Sequence, residues 1–125
     1  MEKTRILVVD DEEEICQLTL SFLVRKNYNV FTATNGEVAI DLVKKEHPQI
    51  VLLDVRLGSE SGIEVLEKIK EIDEEIRVIM VTALDDEESI RQAKALGADD
   101  YIAKPFTATY LNDFILQKIA NLGLK

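Results

Sequence analysis

Five short apolar runs recur along the chain, each followed by a stretch in which apolar residues return every three or four positions. The runs are RILVV (5–9), NVFTA (29–33), IVLL (50–53), RVIMVT (77–82) and YIAK (101–104). Three of them are nearly continuous rather than alternating, which marks parallel strands covered on both faces. Between the runs, Ile15, Leu18, Phe22 and Leu23 fall at i, i+3, i+7 and i+8, predicting one apolar face on a first helix. Leu111, Phe114 and Ile119 repeat that spacing near the end of the chain, with Lys118 as the polar exception.

Local signals punctuate the same frame. Thr34 with Glu37, Ser61 with Glu64, and Asp85 with Glu88 have the three-residue spacing of helix-starting capping boxes. Gly97 predicts a helix stop, and Pro48 separates a helix from the third strand. His47, next to that proline, reads as a surface C-terminal cap, Cys16 as a packing residue, and Gly62 as a tight approach at the start of the third helix. Five βα repeats of this kind predict an α/β fold: a five-stranded parallel, doubly wound, flavodoxin-like sheet in the order 2-1-3-4-5 with right-handed crossovers. The expectation is one domain across residues 1–125, with a core from about residue 4 to about residue 120.

Composition narrows the function classes. Hydrophobic residues make up 46% and charged residues 31%, the balance of a folded water-soluble domain rather than a disordered one. No apolar run approaches the roughly 20 residues that span a bilayer, and acidic residues follow the first apolar run too soon for a secretory signal. With one cysteine there is no internal disulfide, so the expected location is the cytoplasm, with no membrane partner. Fifteen basic against 24 acidic residues give a net charge of −9, which disfavours direct nucleic-acid binding.

The polar residues are informative because of where they fall. Asp10 and Asp11 follow the first strand, Asp54 the third, Thr82 closes the fourth, and Lys104 closes the fifth. Ligands of open α/β sheets bind at these carboxyl ends. Strands 1 and 3 are expected neighbours, so three carboxylates converge and their repulsion calls for a cation. An all-oxygen set of this kind suits Mg2+. Three aspartates, one divalent ion and the Lys104 ammonium come close to neutrality.

The set formed by Asp10–Asp11, Asp54, Thr82–Ala83 and Lys104–Pro105–Phe106 resembles the receiver domain of two-component response regulators, and GADDYIAKPF (97–106) is close to that family's wording. The resemblance implies that Asp54 is the phosphorylated nucleophile. It implies that Asp11 binds Mg2+ directly (Mn2+ able to substitute), with Asp10 acting mostly through water and the backbone carbonyl of Arg56 as a further ligand. Lys104, the Thr82 hydroxyl and the Ala83 N–H would hold the phosphoryl oxygens, and the Lys104–Pro105 bond would be cis. Thr82 and Tyr101 would form a switch read out on the surface of helix 4, strand 5 and helix 5. The implied partners are a histidine kinase or phosphotransfer protein and an output protein or domain. The chain would catalyse its own phosphorylation and dephosphorylation without multiple-turnover chemistry.

Some positions depart from the pattern. Gly58 stands where receivers usually carry proline, so the loop after Asp54 is expected to be more mobile. Arg56 and Leu84 stand at positions that tune phosphate lifetime in the family the chain resembles, and the last helix has few of the charged residues that form symmetric dimers in the family's winged-helix class. Two rival readings stand beside the receiver. A magnesium phosphohydrolase would need an acid two residues after its nucleophile, where this chain has Arg56. A degenerate receiver that only docks partners would lack ion binding. The bland reading of Glu12–Glu14, favourable charge at a helix start, explains those three residues by itself.

Overall fold

The computed structural model describes residues 3–83, 86–104 and 116–122. In chain order the elements are β1 (Arg5–Val9), α1 (Glu13–Arg25), β2 (Asn29–Ala33), α2 (Gly36–Glu46), β3 (Ile50–Asp54), β4 (Arg56–Leu57), β5 (Glu60–Ser61), α3 (Gly62–Ile72), β6 (Arg77–Thr82), α4 (Glu87–Ala95), β7 (Asp100–Ala103) and α5 (Leu116–Asn121). The main sheet is parallel throughout, in the order β2-β1-β3-β6-β7. Leaving out the two-residue strands β4 and β5, which pair with each other, this is the expected 2-1-3-4-5 order.

Alternation along the strands sorts the core into two layers. Leu7, Val9, Val51, Leu53, Val78 and Met80 pack with Ala39 and Val43 of α2, Val65, Leu66 and Ile69 of α3, and Ala93 of α4. Ile6, Val8, Ile50, Leu52, Ile79 and Val81 pack on the opposite face with Leu23 of α1 and Ile119 of α5. Burial on both sides is why these strands read as continuous apolar runs. At the amino ends of the strands, Asp99 accepts the Val78 N–H at 2.8 Å and pairs with Lys70 and Arg77, fastening the loop before β7.

Several local expectations shift. The buried stripe of α1 runs through Cys16, Thr19 and Leu23, while Leu18 is 42% exposed; the apolar face is rotated from the one the spacing predicted. Thr19 tolerates burial because its hydroxyl donates to the Ile15 carbonyl at 2.8 Å. The cap of α2 is Asn35 rather than Thr34, since the Asn35 side chain accepts the Val38 N–H at 2.9 Å. Asp86 caps α4 by accepting from Ser89, where Asp85 was expected; Asp85 lies outside the described residues. Ser61 caps α3 as expected. His47 caps α2 with left-handed backbone, and Gly97 takes a positive φ of 98° just beyond α4. The last strand runs 100–103, one residue ahead of its expected place.

Candidate functional site

The parallel register brings Val9 opposite Leu53 and Asp54 opposite Val81, so the residues at or just beyond these strand ends share one edge. Asp10 and Asp54 are 3% and 5% exposed. Buried carboxylates need partners, and here each has two. The Lys104 ammonium lies 2.5 Å from Asp54 Oδ2 and 3.0 Å from Asp10 Oδ2. The other oxygen of each acid accepts a backbone N–H two residues on: Glu12 N–H to Asp10 Oδ1 at 2.9 Å, and Arg56 N–H to Asp54 Oδ1 at 3.0 Å. Lys104 is aimed by its own backbone, whose N–H donates to the Thr82 carbonyl at 2.8 Å.

Asp11 is exposed, yet one of its carboxylate oxygens lies within 4.8 Å of oxygens from both Asp10 and Asp54. Three hard oxygen donors converging from two sheet strands fit a small divalent ion that keeps part of its water shell. The electrostatics agree. Burial raises the Asp54 carboxyl above the usual carboxylate range; Lys104 and the Arg56 N–H pull the other way but do not cancel it, and the charge of Asp10 adds to the rise. Burial alone would lower Lys104, but its hydrogen bonds to Asp54 and Asp10 outweigh that cost and raise it. One ammonium therefore does not fully compensate two buried acids with a third beside them.

Asp11, Asp54, Arg56, Thr82, Ala83 and Lys104 all line one cleft of about 440 Å³. Thr82 is 3% exposed, with its hydroxyl 3.3 Å from the Ala83 carbonyl. Tyr101 stands apart from this group. It is 39% exposed on β7, and the Lys94 ammonium lies 5.0 Å over its ring. Leu84, Pro105 and Phe106 lie outside the described residues. Glu12 and Asp86 also line the cleft and were not read as site residues. Glu12 was hidden in a run of helix-start acids, and Asp86 acts as a cap, so no strand-end signal marked either. His47 sits at the other end of the sheet, where its carbonyl accepts from Arg5 Nε at 3.0 Å.

A doubly wound sheet with acids, a hydroxyl and a lysine at its carboxyl edge belongs to the flavodoxin-like class of α/β domains. Within that class the chain belongs to the response regulator receiver domain family, whose model matches residues 6–116. It is 41% identical over 115 residues to sporulation initiation phosphotransferase F of Bacillus subtilis (strain 168), covering 92% of this chain and 93% of that protein. It is also 41% identical over 108 residues to the alkaline phosphatase synthesis transcriptional regulatory protein PhoP of the same organism, where 86% of this chain spans only 45% of the relative. Among solved structures it is similar to a CheY-like response regulator receiver domain protein from Methanospirillum hungatei JF-1, with a TM-score of 0.86, 30% identity and 96% of both chains covered. The BeF3-activated DrrB receiver domain gives 0.80 at 34% identity, over 95% of this chain and 99% of that one. The protein is thus a two-component receiver domain, from a family of signalling phosphoacceptors rather than conventional enzymes, and the phosphohydrolase reading is set aside. Among the described residues, no helix is long and apolar enough to cross a membrane.

Proposed function

We propose that Asp54 accepts a phosphoryl group from a histidine kinase, a phosphotransfer protein or a small acyl phosphate, and that the resulting aspartyl phosphate switches an output surface. The observation that carries this reading is Lys104 bridging Asp54 and Asp10 while an Asp11 oxygen closes the acid cluster. In the step itself, an Asp54 carboxylate oxygen bonds to phosphorus as the donor's P–N or P–O bond breaks. The electron pair of that bond leaves with imidazole or carboxylate. Asp10, Asp11, Asp54 and the Arg56 carbonyl would hold Mg2+ (or Mn2+), which supplies charge neutralisation for the incoming phosphoryl group.

The chain's own residues do the rest. Lys104 is a point charge for one phosphoryl oxygen, and the Thr82 hydroxyl and Ala83 N–H donate to the others. Phosphoryl transfer has a loose transition state, so fixed positions and neutralised charge are most of what catalysis requires, and the chain serves as its own catalyst in both directions. Each charge-assisted bond contributes roughly 1.5–3 kcal/mol. Three together reach the approximately 5.5 kcal/mol that inverts a 1:99 equilibrium. Thr82 moves toward the phosphoryl group, and Tyr101 turns inward from its place under Lys94. The α4–β7–α5 surface then presents a changed face to an output protein or domain, with the kinase encounter in the cytoplasm and residues 1–125 acting as one domain.

Incubation with Mg2+ and a small acyl phosphate should add about 80 daltons, one phosphoryl group, in a form that hydroxylamine removes. An adduct that persists in Asp54→Ala would remove Asp54 as the acceptor.

A further inference from the structure

We propose that Glu60 is a positioning residue for the cation site, latching the loop after Asp54 onto the start of α2. The inference rests on the reading of Asp10, Asp11, Asp54 and the Arg56 carbonyl as the ion's ligands.

The loop is a built element. Arg56 pairs with Ser61 and Leu57 with Glu60 in an antiparallel ribbon, and the chain reverses through Gly58 at a φ of 65°. Gly62 N–H closes the base of the ribbon on the Val55 carbonyl at 2.6 Å, and Leu57 is buried. Opposite Leu57, the Glu60 side chain reaches the start of α2, where its Oε1 accepts the Gly36 N–H at 3.2 Å. That N–H is one of the helix-start donors that have no partner within their own helix, and it sits where the helix dipole favours an anion. The approach is also close enough that a side chain at position 36 would have to displace it. A Cβ on Gly36 would stand 2.8 Å from Glu60 Oε2 and 2.9 Å from Val65 Cγ2.

The same ribbon meets the acids at its base and at its turn. The Arg56 N–H holds Asp54 Oδ1, and Gly58 lies close to Asp11, whose Oδ2 would be 4.0 Å from a Cβ there. Glu60 therefore fixes the ribbon between α2 and the acid cluster. It sets where the Arg56 backbone sits without itself lining the cleft. A loop made permissive by Gly58 is thereby held by a bond from a neighbouring element.

The test uses Glu60→Ala and Glu60→Gln in the full chain. In ion-free protein, NMR hydrogen exchange should show the Gly62 and ribbon amides exchanging faster in Glu60→Ala and near wild type in Glu60→Gln, whose amide oxygen still accepts. Titration with Mn2+ followed by electron paramagnetic resonance should give an affinity about three- to tenfold weaker for Glu60→Ala, the scale of one hydrogen bond, with Glu60→Gln restoring it. Unchanged exchange in Glu60→Ala would overturn the latch. A Glu60→Gln variant as weak as Glu60→Ala would show that only charge matters and would overturn it too. Should the wild type bind no Mn2+, the ligand reading and the positioning role fall together, whereas exchange still judges the latch itself.

Discussion

Lys104 and Asp54, 50 residues apart in sequence, meet at 2.5 Å between ammonium and carboxylate. The pair is a compromise. Burial raises the Asp54 pKa despite Lys104, so the folded protein binds that proton more tightly than the unfolded chain does. The stability contributed by this difference is present below the ordinary carboxylate pKa and lost as pH rises through the folded value. At neutral pH the ionised Asp54 is a net cost. With Lys104 still paired to Asp10, Asp54→Asn should therefore stabilise the ion-free protein at pH 7, and by less near pH 4. Lys104→Met should act oppositely, losing about 1–3 kcal/mol by leaving two buried acids uncompensated, with part regained on adding Mg2+. Urea titrations at the two pH values measure both.

Gly62 is fixed by the backbone of Asp54. A Cβ on Gly62 would overlap the Asp54 carbonyl oxygen, far inside contact distance, and would also crowd the Val55 carbonyl. Neither is a side-chain tip that can swing away. Gly62→Ala should cost about 3 kcal/mol or more, at the upper end for overpacking, and should weaken ion uptake because Asp54 must shift. Denaturant unfolding with parallel ion titration checks this.

Cys16 offers an alkaline test. Burial, then the neighbouring Asp10 charge, pushes its thiol up to about 11, and the group is wholly enclosed, donating to the Asp10 carbonyl at 3.3 Å. Its contribution to stability is intact below the ordinary thiol pKa and lost as pH rises toward 11. Wild type should lose stability over that range more steeply than Cys16→Ala. Lys104, also raised, remains in both proteins, so the difference isolates the thiol. At pH 8, iodoacetamide should label native Cys16 far more slowly than unfolded protein; equal rates would contradict this burial.

The sheet was legible because burial on both faces writes a strand as an unbroken apolar run, and β1, β2 and β6 fall on their expected residues. The strand-end residues were legible for a related reason: polar Asp10, Asp54 and Thr82 interrupt runs that burial would otherwise keep apolar. The face of α1 was misplaced because Cys16 and Thr19 are buried there, whereas Leu18 looks like core and is exposed. The Arg56–Ser61 ribbon escaped notice because two-residue strands have no period, and Gly58 suggested only freedom. Nothing in the sequence singles out Glu60, since its partner is a backbone N–H 24 residues away and backbone donors leave no mark on sequence.

On the proposed reading, Asp10, Asp11 and Asp54 form one pocket that takes both a divalent ion and an ammonium. Calorimetric titration of Mg2+ into wild type, Asp11→Asn and Asp54→Asn decides the matter. The expected result is a single site in wild type that weakens about tenfold or more in each variant. Equal uptake in all three proteins, or none in wild type, would contradict it.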